Sequence, residues 1–250
     1  MRLLVVGGCG RVGSMVVPRL AERHQVRVLD LAEPRSPVPN VAYHQGDLHD
    51  VDLVAELSAG VDSLVFMAMG PFGGWGEPAN MHKHLDIAVA GLYLTLTGAH
   101  RGGVGHAVFT SSMSVYRPVD PGKPIDAETV HRYPDEAIPP NAGDFYGLAK
   151  RLGEEVCRNA TVEWGMDTVC LRLCFPTWDE DWPLQGSAMQ RIIATSERDT
   201  GAAIDAALRY RGKGFETFAI SGDGAERTMS LAKARRELDW SPQDSTTREA

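Results

Sequence analysis

No apolar run in this 250-residue chain reaches the ~18 residues of a bilayer-crossing helix, so no helical membrane span is predicted. Positive charge is in deficit. The net charge of −8 argues against nucleic acid or an anionic membrane surface as a partner. A local site can still oppose the global charge, so an anionic small molecule stays open. Cysteine is sparse: Cys9, Cys157, Cys170 and Cys174 include no Cys-x-x-Cys pair. Cys170 and Cys174 share an apolar strand and its exit, which reads as buried thiols. The eight histidines show no zinc spacing; His82 and His84 are close, but nothing nearby completes a ligand set, so no metal site is predicted. Internal repeats, low-complexity tracts and linkers are also missing. Arg2 leads at once into a strand and a glycine turn, not a signal-peptide pattern, and a cytoplasmic location is the expectation. What is left is 43% hydrophobic and 23% charged, ordinary for a soluble globular chain. The length suits one sizeable core, or one core with a small second lobe.

The N-terminus supplies the first positive signal. A short apolar run from Arg2 to Val6 reads as a strand buried on both faces of a parallel sheet. It enters Gly7-Gly8-Cys9-Gly10-Arg11-Val12-Gly13 and then an apolar helical segment over 12–20. Strand, glycine turn and helix in that order give a glycine motif meaning. Gly7 would allow the tight turn, Gly10 a close approach to a pyrophosphate, and Gly13 close helix packing. The helix N-terminus would face the phosphates with free N–H groups. The second strand, 25–30, ends on Asp30, near the ~20-residue spacing of an acid that binds the adenosine ribose. A carboxylate there would repel a 2′-phosphate, so NAD is favoured over NADP; Arg35 is the nearby cation that could soften this. A plain turn residue is the alternative for Asp30.

Further strands are expected at 41–45, 62–69, 105–110, 167–173 and 215–220, with helices at 51–57, 80–99, 144–156, 199–210 and 231–238. The loop over 70–78 holds too much glycine to be packed structure; it is either a mobile wall beside the nicotinamide or a plain connection. The stretch 118–140 reads as a long surface excursion. The fifth strand runs into Ser111-Ser112, at the sheet edge where such folds place ligands. On the helix over 144–156, Tyr146 and Lys150 lie one turn apart, flanking the apolar stripe of Phe145, Leu148, Leu152 and Val156. An ammonium one turn from a phenol is expected to lower the phenol's pKa.

In this order, the glycine loop, Asp30, the serine pair, and Tyr146 with Lys150 resemble the extended short-chain dehydrogenase/reductase family, specifically its NAD-dependent epimerase/dehydratase group. Thr110-Ser-Ser-Met-Ser-Val-Tyr116 looks like that family's serine segment. Ala232-Lys-Ala-Arg-Arg-Glu-Leu-Asp-Trp-Ser-Pro242 resembles its closing helix, with Asp239 in place of glycine. The resemblance implies Ser112, Tyr146 and Lys150 as catalytic residues. It implies an NAD site built from Gly7, Gly10, Arg11, Val12, Gly13, Asp30, Asp47, Leu48, Met67 and Ala68, with Tyr146 and Lys150 reaching the nicotinamide ribose. Ala88 stands where the family often has an asparagine. The chain after Tyr146 is short, which looks more like compact members such as uronate dehydrogenase than like nucleotide-sugar epimerases.

The expected fold is therefore α/β, a doubly wound parallel sheet (Rossmann fold) with a small C-terminal substrate-binding lobe. One extended domain is expected over 1–250, with a cofactor core to about 170 and the lobe and last sheet elements after it. The expected function is NAD-dependent oxidation of a carbinol, or reduction of a ketone, on a small sugar-like molecule, including a sugar acid. Its rivals are an NAD-retaining epimerase or dehydratase and a non-catalytic dinucleotide sensor. Ser112 with Arg172 or Arg191 would grip the substrate, an arginine fork serving a carboxylate; a structural or surface role is the alternative for each arginine. A homodimer through the helices at 80–99 and 144–156 is expected.

Overall fold

The computed structural model describes residues 1–118, 133–183 and 185–244. Strands β1 (Arg2–Val6), β2 (Gln25–Asp30), β3 (Ala42–Gln45), β4 (Ser63–Phe66), β5 (His106–Ser112) and β6 (Asp167–Leu173) alternate with helices. After β6 come the two-residue strands β7 (Pro176–Thr177) and β8 (Thr195–Ser196), which pair only with each other, and then β9 (Phe215–Ile220). The main sheet has the order β3-β2-β1-β4-β5-β6-β9, and every neighbouring pair is parallel. Continuous apolar runs explain the central strands: Leu3 to Val6 and Leu64 to Phe66 are buried on both faces.

Helices α1 (Arg11–Ala21), α2 (Val51–Ser58), α3 (Pro78–Asp86), α4 (Leu92–Arg101), α5 (Phe145–Trp164), α6 (Ala188–Ile193), α7 (Glu197–Arg209) and α8 (Ala232–Leu238) complete the layers. Met15, Val16 and Leu20 of α1 share one core with Ile204 and Leu208 of α7 and Leu238 of α8. Val54 of α2, Leu92 and Leu96 of α4, and Cys157 and Ala160 of α5 form the core on the other face. The chain turns one way from β1 to β2 and the other way to β4, and a cleft opens at that reversal, as expected for a doubly wound sheet.

Local chemistry sets the ends of the site-bearing helix. The Asp144 carboxylate accepts the Gly147 N–H at 2.7 Å and caps α5. Gly165, at φ 68°, closes it in the left-handed conformation. α5 runs well past the expected end at 156, because Cys157 and Ala160 continue its buried face. The helix expected at 80–99 is also modified. It is α3 and α4 joined by a π turn, Ile87–Gly91, a wider turn than the hydrophobic period reveals. Packing is tight here. A Cβ on Gly91 would stand 2.4 Å from Leu48 Cδ1, and one on Gly153 would stand 2.6 Å from the Phe109 ring.

Most of the excursion expected at 118–140 (119–132) lies outside the described residues. Its far end is pinned: the Tyr133 N–H donates to the Thr228 carbonyl at 3.0 Å, and the Tyr116 hydroxyl to the Asp135 and Ile138 carbonyls at 3.0 and 2.8 Å.

Candidate active site

Two connected clefts follow the carboxyl edge of the sheet, of about 900 and 760 Å³. Arg11, Val12, Met67, Met69 and Phe72 belong to the walls of both, so they form one trough.

The larger cleft lies along the glycine loop. Gly7 has φ 83°, and a Cβ there would stand 2.4 Å from Ala68 N, so turn and close approach both require glycine. Gly13 packs against the Gly8 backbone, where a Cβ would meet the carbonyl oxygen at 2.4 Å. The glycine packed on the sheet is Gly8, against Val28, a role not visible in the spacing. Gly10 caps α1 without any side-chain cap, so the first-turn N–H groups remain available to an anion. The Asp30 carboxylate accepts the Cys9 N–H at 2.9 Å and the Ala32 N–H at 3.0 Å, which fixes it at the cleft wall with Arg35 nearby. This loop and acid fit a dinucleotide: the backbone is bare where a pyrophosphate must approach, and a held acceptor stands where a ribose follows.

Met67, Ala68 and Leu48 line the same cleft. Asp47 does not; its exposed carboxylate turns to His49, accepting the backbone N–H at 2.9 Å and pairing with Nδ1 at 2.7 Å. Those bonds hold its pKa below the usual carboxylate range. Its neighbours Gly46 and Leu48 face the cleft, while the Asp47 carboxylate is engaged by His49 in the turn before α2.

The smaller cleft holds Ser112, Tyr146 and Lys150. Ser112 ends β5; its Oγ accepts the Ser114 N–H at 3.1 Å, and it lines the cleft with the Tyr146 phenol. Lys150 is buried and donates from Nζ to the Thr110 carbonyl at 2.8 Å. Burial lowers its pKa to about 8. Burial raises the Tyr146 pKa; the nearby Ser112 hydroxyl opposes this and the Asp144 carboxylate adds to it. The expected direction for Tyr146 is therefore reversed. Desolvation of the phenolate dominates, because the ammonium sits 5.9 Å from the ring centroid and is engaged by a carbonyl.

Neither arginine expected to grip substrate reaches the cleft. Arg172 is buried, with Nε and Nη2 donating to Glu154 at 2.9 and 2.8 Å and Nη1 to the Tyr116 hydroxyl at 2.6 Å. Ser111 Oγ donates to the same Glu154 at 2.7 Å. Arg172 is thus a structural tie behind the site. Arg191 is exposed on α6 and donates to the Gly186 carbonyl at 2.7 Å; Gln190 and Ile193 of that helix line the cleft instead.

Three features escaped the sequence reading. Glu154 continues the Tyr146–Lys150 face by another helical turn, a spacing that could have revealed it. Thr110 acts through its carbonyl, which no side-chain pattern marks. Finally, the loop over 70–77 is largely exposed, as its glycine content implies, but its Trp75 lies against the rings of His84, Phe145 and Tyr146, a contact no spacing marks.

The model of the NAD dependent epimerase/dehydratase family matches residues 3–176. A uronate dehydrogenase of Pseudomonas syringae pv. tomato is 30% identical over 177 residues, covering 69% of this chain and 58% of the relative. One from Pseudomonas putida is 28% identical, with 60% of its own length matched, so the chain spans about three fifths of these relatives. An L-arabinose 1-dehydrogenase (NAD(P)(+)) of Haloferax volcanii is 23% identical, with 98% of this chain and 97% of the relative covered. The structure of uronate dehydrogenase from Agrobacterium tumefaciens superposes with a TM-score of 0.75 at 25% identity, over 97% of this chain and 84% of that one.

Proposed function

Because the chain belongs to the NAD dependent epimerase/dehydratase family, we propose that it is an NAD-dependent dehydrogenase oxidising a carbinol of a small sugar or sugar acid. The observation that carries this reading is the convergence of Ser112, Tyr146 and buried Lys150 on the wall of the smaller cleft, which joins the cleft along the glycine loop. Bound NAD supplies the hydride acceptor. Gly7, Gly10, Arg11 and Val12, with Gly13 packed behind them, would hold its pyrophosphate; Asp30 would take the adenosine ribose hydroxyls; Leu48, Met67 and Ala68 would wall the adenosine half. Ser112 holds the substrate oxygen. Tyr146 would act as general base toward the hydroxyl proton, its phenolate disfavoured by burial and favoured by Ser112, as hydride leaves the carbinol carbon for the bound cofactor. The Lys150 cation favours that phenolate and holds the nicotinamide ribose. Correct placement of the carbinol carbon supplies much of the rate.

The acting unit in this reading is a cytoplasmic homodimer joined through the helical stretch 80–99 and α5, with residues after about 170 contributing to the substrate side. The test is incubation with NAD and a panel of free sugars, uronic acids and nucleotide sugars, following absorbance of the reduced cofactor. Net reduction with a free sugar or sugar acid is expected. Isomerisation without net reduction would replace the reading with an NAD-retaining epimerase, and silence across the panel with a dinucleotide sensor.

A further inference from the structure

Residues 70–77 bring two exposed aromatic side chains to the substrate end of the trough. Trp75 is 48% and Phe72 58% exposed, and both line the cleft with Ser112 and Tyr146. Their ring planes lie within 16° of parallel, with centroids 6.0 Å apart. The Trp75 centroid is 4.9 Å from Phe145, 5.2 Å from His84 and 5.4 Å from Tyr146. The indole is thus stacked with Phe72 and braced by the rings of His84, Phe145 and Tyr146, with about half of its surface still exposed.

The base of this loop is clamped. Buried Asn80 donates Nδ2 to the Pro71 and Gly73 carbonyls at 2.6 and 2.9 Å, and His84 Nε2 lies 3.4 Å from the Pro71 carbonyl. At the tip, a Cβ on Gly73 or Gly76 would meet nothing within 4 Å. The platform is therefore held from below and open above.

Adjacent exposed aromatics inside a cleft mark a binding surface. A pyranose has an apolar face of C–H bonds and a polar edge of hydroxyls. A flat aromatic surface suits the first, and Ser112, Ser114, Thr177 and Gln190, on the same walls, suit the second. Arg172 and Arg191 lie outside the cleft; Arg11 and Arg117 stand on its walls, and the aromatic pair is its flat apolar surface.

Resting on the sugar-oxidation reading above, we propose that Trp75, extended by Phe72, is the stacking platform for the C–H face of a pyranose substrate and determines specificity for the ring form. The test is steady-state kinetics at saturating NAD for wild type, Trp75→Ala, Trp75→Phe and Phe72→Ala, with the sugar that wild type oxidises. Trp75→Ala should raise the sugar KM by roughly tenfold, change kcat much less, and leave the KM for NAD unchanged. Trp75→Phe should restore most of the loss, and Phe72→Ala should fall between. Titration with that sugar should quench indole fluorescence in wild type and not in Trp75→Phe. A loss of kcat in Trp75→Ala with unchanged sugar KM would reduce Trp75 to a brace for Tyr146 and overturn the inference. So would equal quenching in wild type and Trp75→Phe. Wild type that oxidises no sugar brings down the sugar-oxidation reading together with this inference; wild-type turnover with an insensitive Trp75→Ala brings down this inference alone.

Discussion

The Lys150 ammonium donates to the Thr110 carbonyl at 2.8 Å, on the strand that carries Ser112. This bond ties α5 to β5, and so ties Tyr146 to the serine that meets it. It also holds the charge 5.0 Å from the Phe109 ring and 5.9 Å from the Tyr146 ring.

A pH prediction follows from the Lys150 pKa of about 8. Lys150 is cationic below that pH and discharges as pH rises through it. The ammonium favours the Tyr146 phenolate only while charged. Lys150→Met should therefore slow oxidation most below pH 8, and the ratio of wild-type to variant rates should shrink as pH rises. Rate profiles from pH 6 to pH 10 check this; a constant ratio would mean that Lys150 acts only by holding cofactor. Stability has a related sign. The unfolded chain binds this proton up to lysine's ordinary range, while the folded chain releases it near 8, so this group's contribution to stability rises with pH between those values.

Tyr146→Phe keeps the ring, and with it the contacts to Trp75 and His84, but removes the transferable proton. Turnover should fall by ~10²-fold or more, with the dissociation constant for NAD little changed. Near-normal turnover would exclude Tyr146 as the acid/base.

Asp30→Ala removes the carboxylate that would repel a 2′-phosphate. Wild type should use NAD far better than NADP, and the variant should narrow the gap. The same change leaves the Cys9 N–H without its acceptor, so NAD binding should weaken as well. Wild type preferring NADP would overturn this account of Asp30 and make Arg35 the residue to test.

The two arginines should behave oppositely. Arg172→Met leaves Glu154 buried without its partner and should cost ~3–5 kcal/mol of stability, read from urea unfolding. Adding Glu154→Gln should recover part of that loss. Arg191→Met should leave stability within about 0.5 kcal/mol and the substrate KM nearly unchanged. A large KM rise in Arg191→Met would return that residue to the site.

Much of the framework was readable because burial imposes a pattern on residues. β6 and β9 occupy the predicted residues, since each is an apolar run with clear ends. The glycine loop, Asp30, Ser112, Tyr146 and Lys150 line the trough because each is a side chain or glycine whose type announces its use. What stayed hidden depends on direction rather than type. Spacing places Lys150 one turn from Tyr146, but says nothing of the Thr110 carbonyl or of the desolvation that sets the phenol's pKa. Position in the chain brings Arg172 and Arg191 near the site; orientation takes the first into Glu154 and sets the second on the outer face of α6. The Asp47 carboxylate is likewise directed by a partner, His49, that its position does not reveal.

The π turn at Ile87–Gly91 has a consequence for how the aromatic loop is held. Each residue advances a helix by about 100°, so a widened turn holds one residue more than a regular α-turn in the same length. Asn80 and His84, which grip the loop, stand before that turn; Leu92 and Leu96, locked into the core, stand after it. The widened turn therefore sets the phase between the gripping face and the buried face. Removing one residue from it would restore a regular helix and rotate Asn80 and His84 away from Pro71, with every side chain of the cleft still present. The trough is thus sensitive to the length of that helix as well as to its composition.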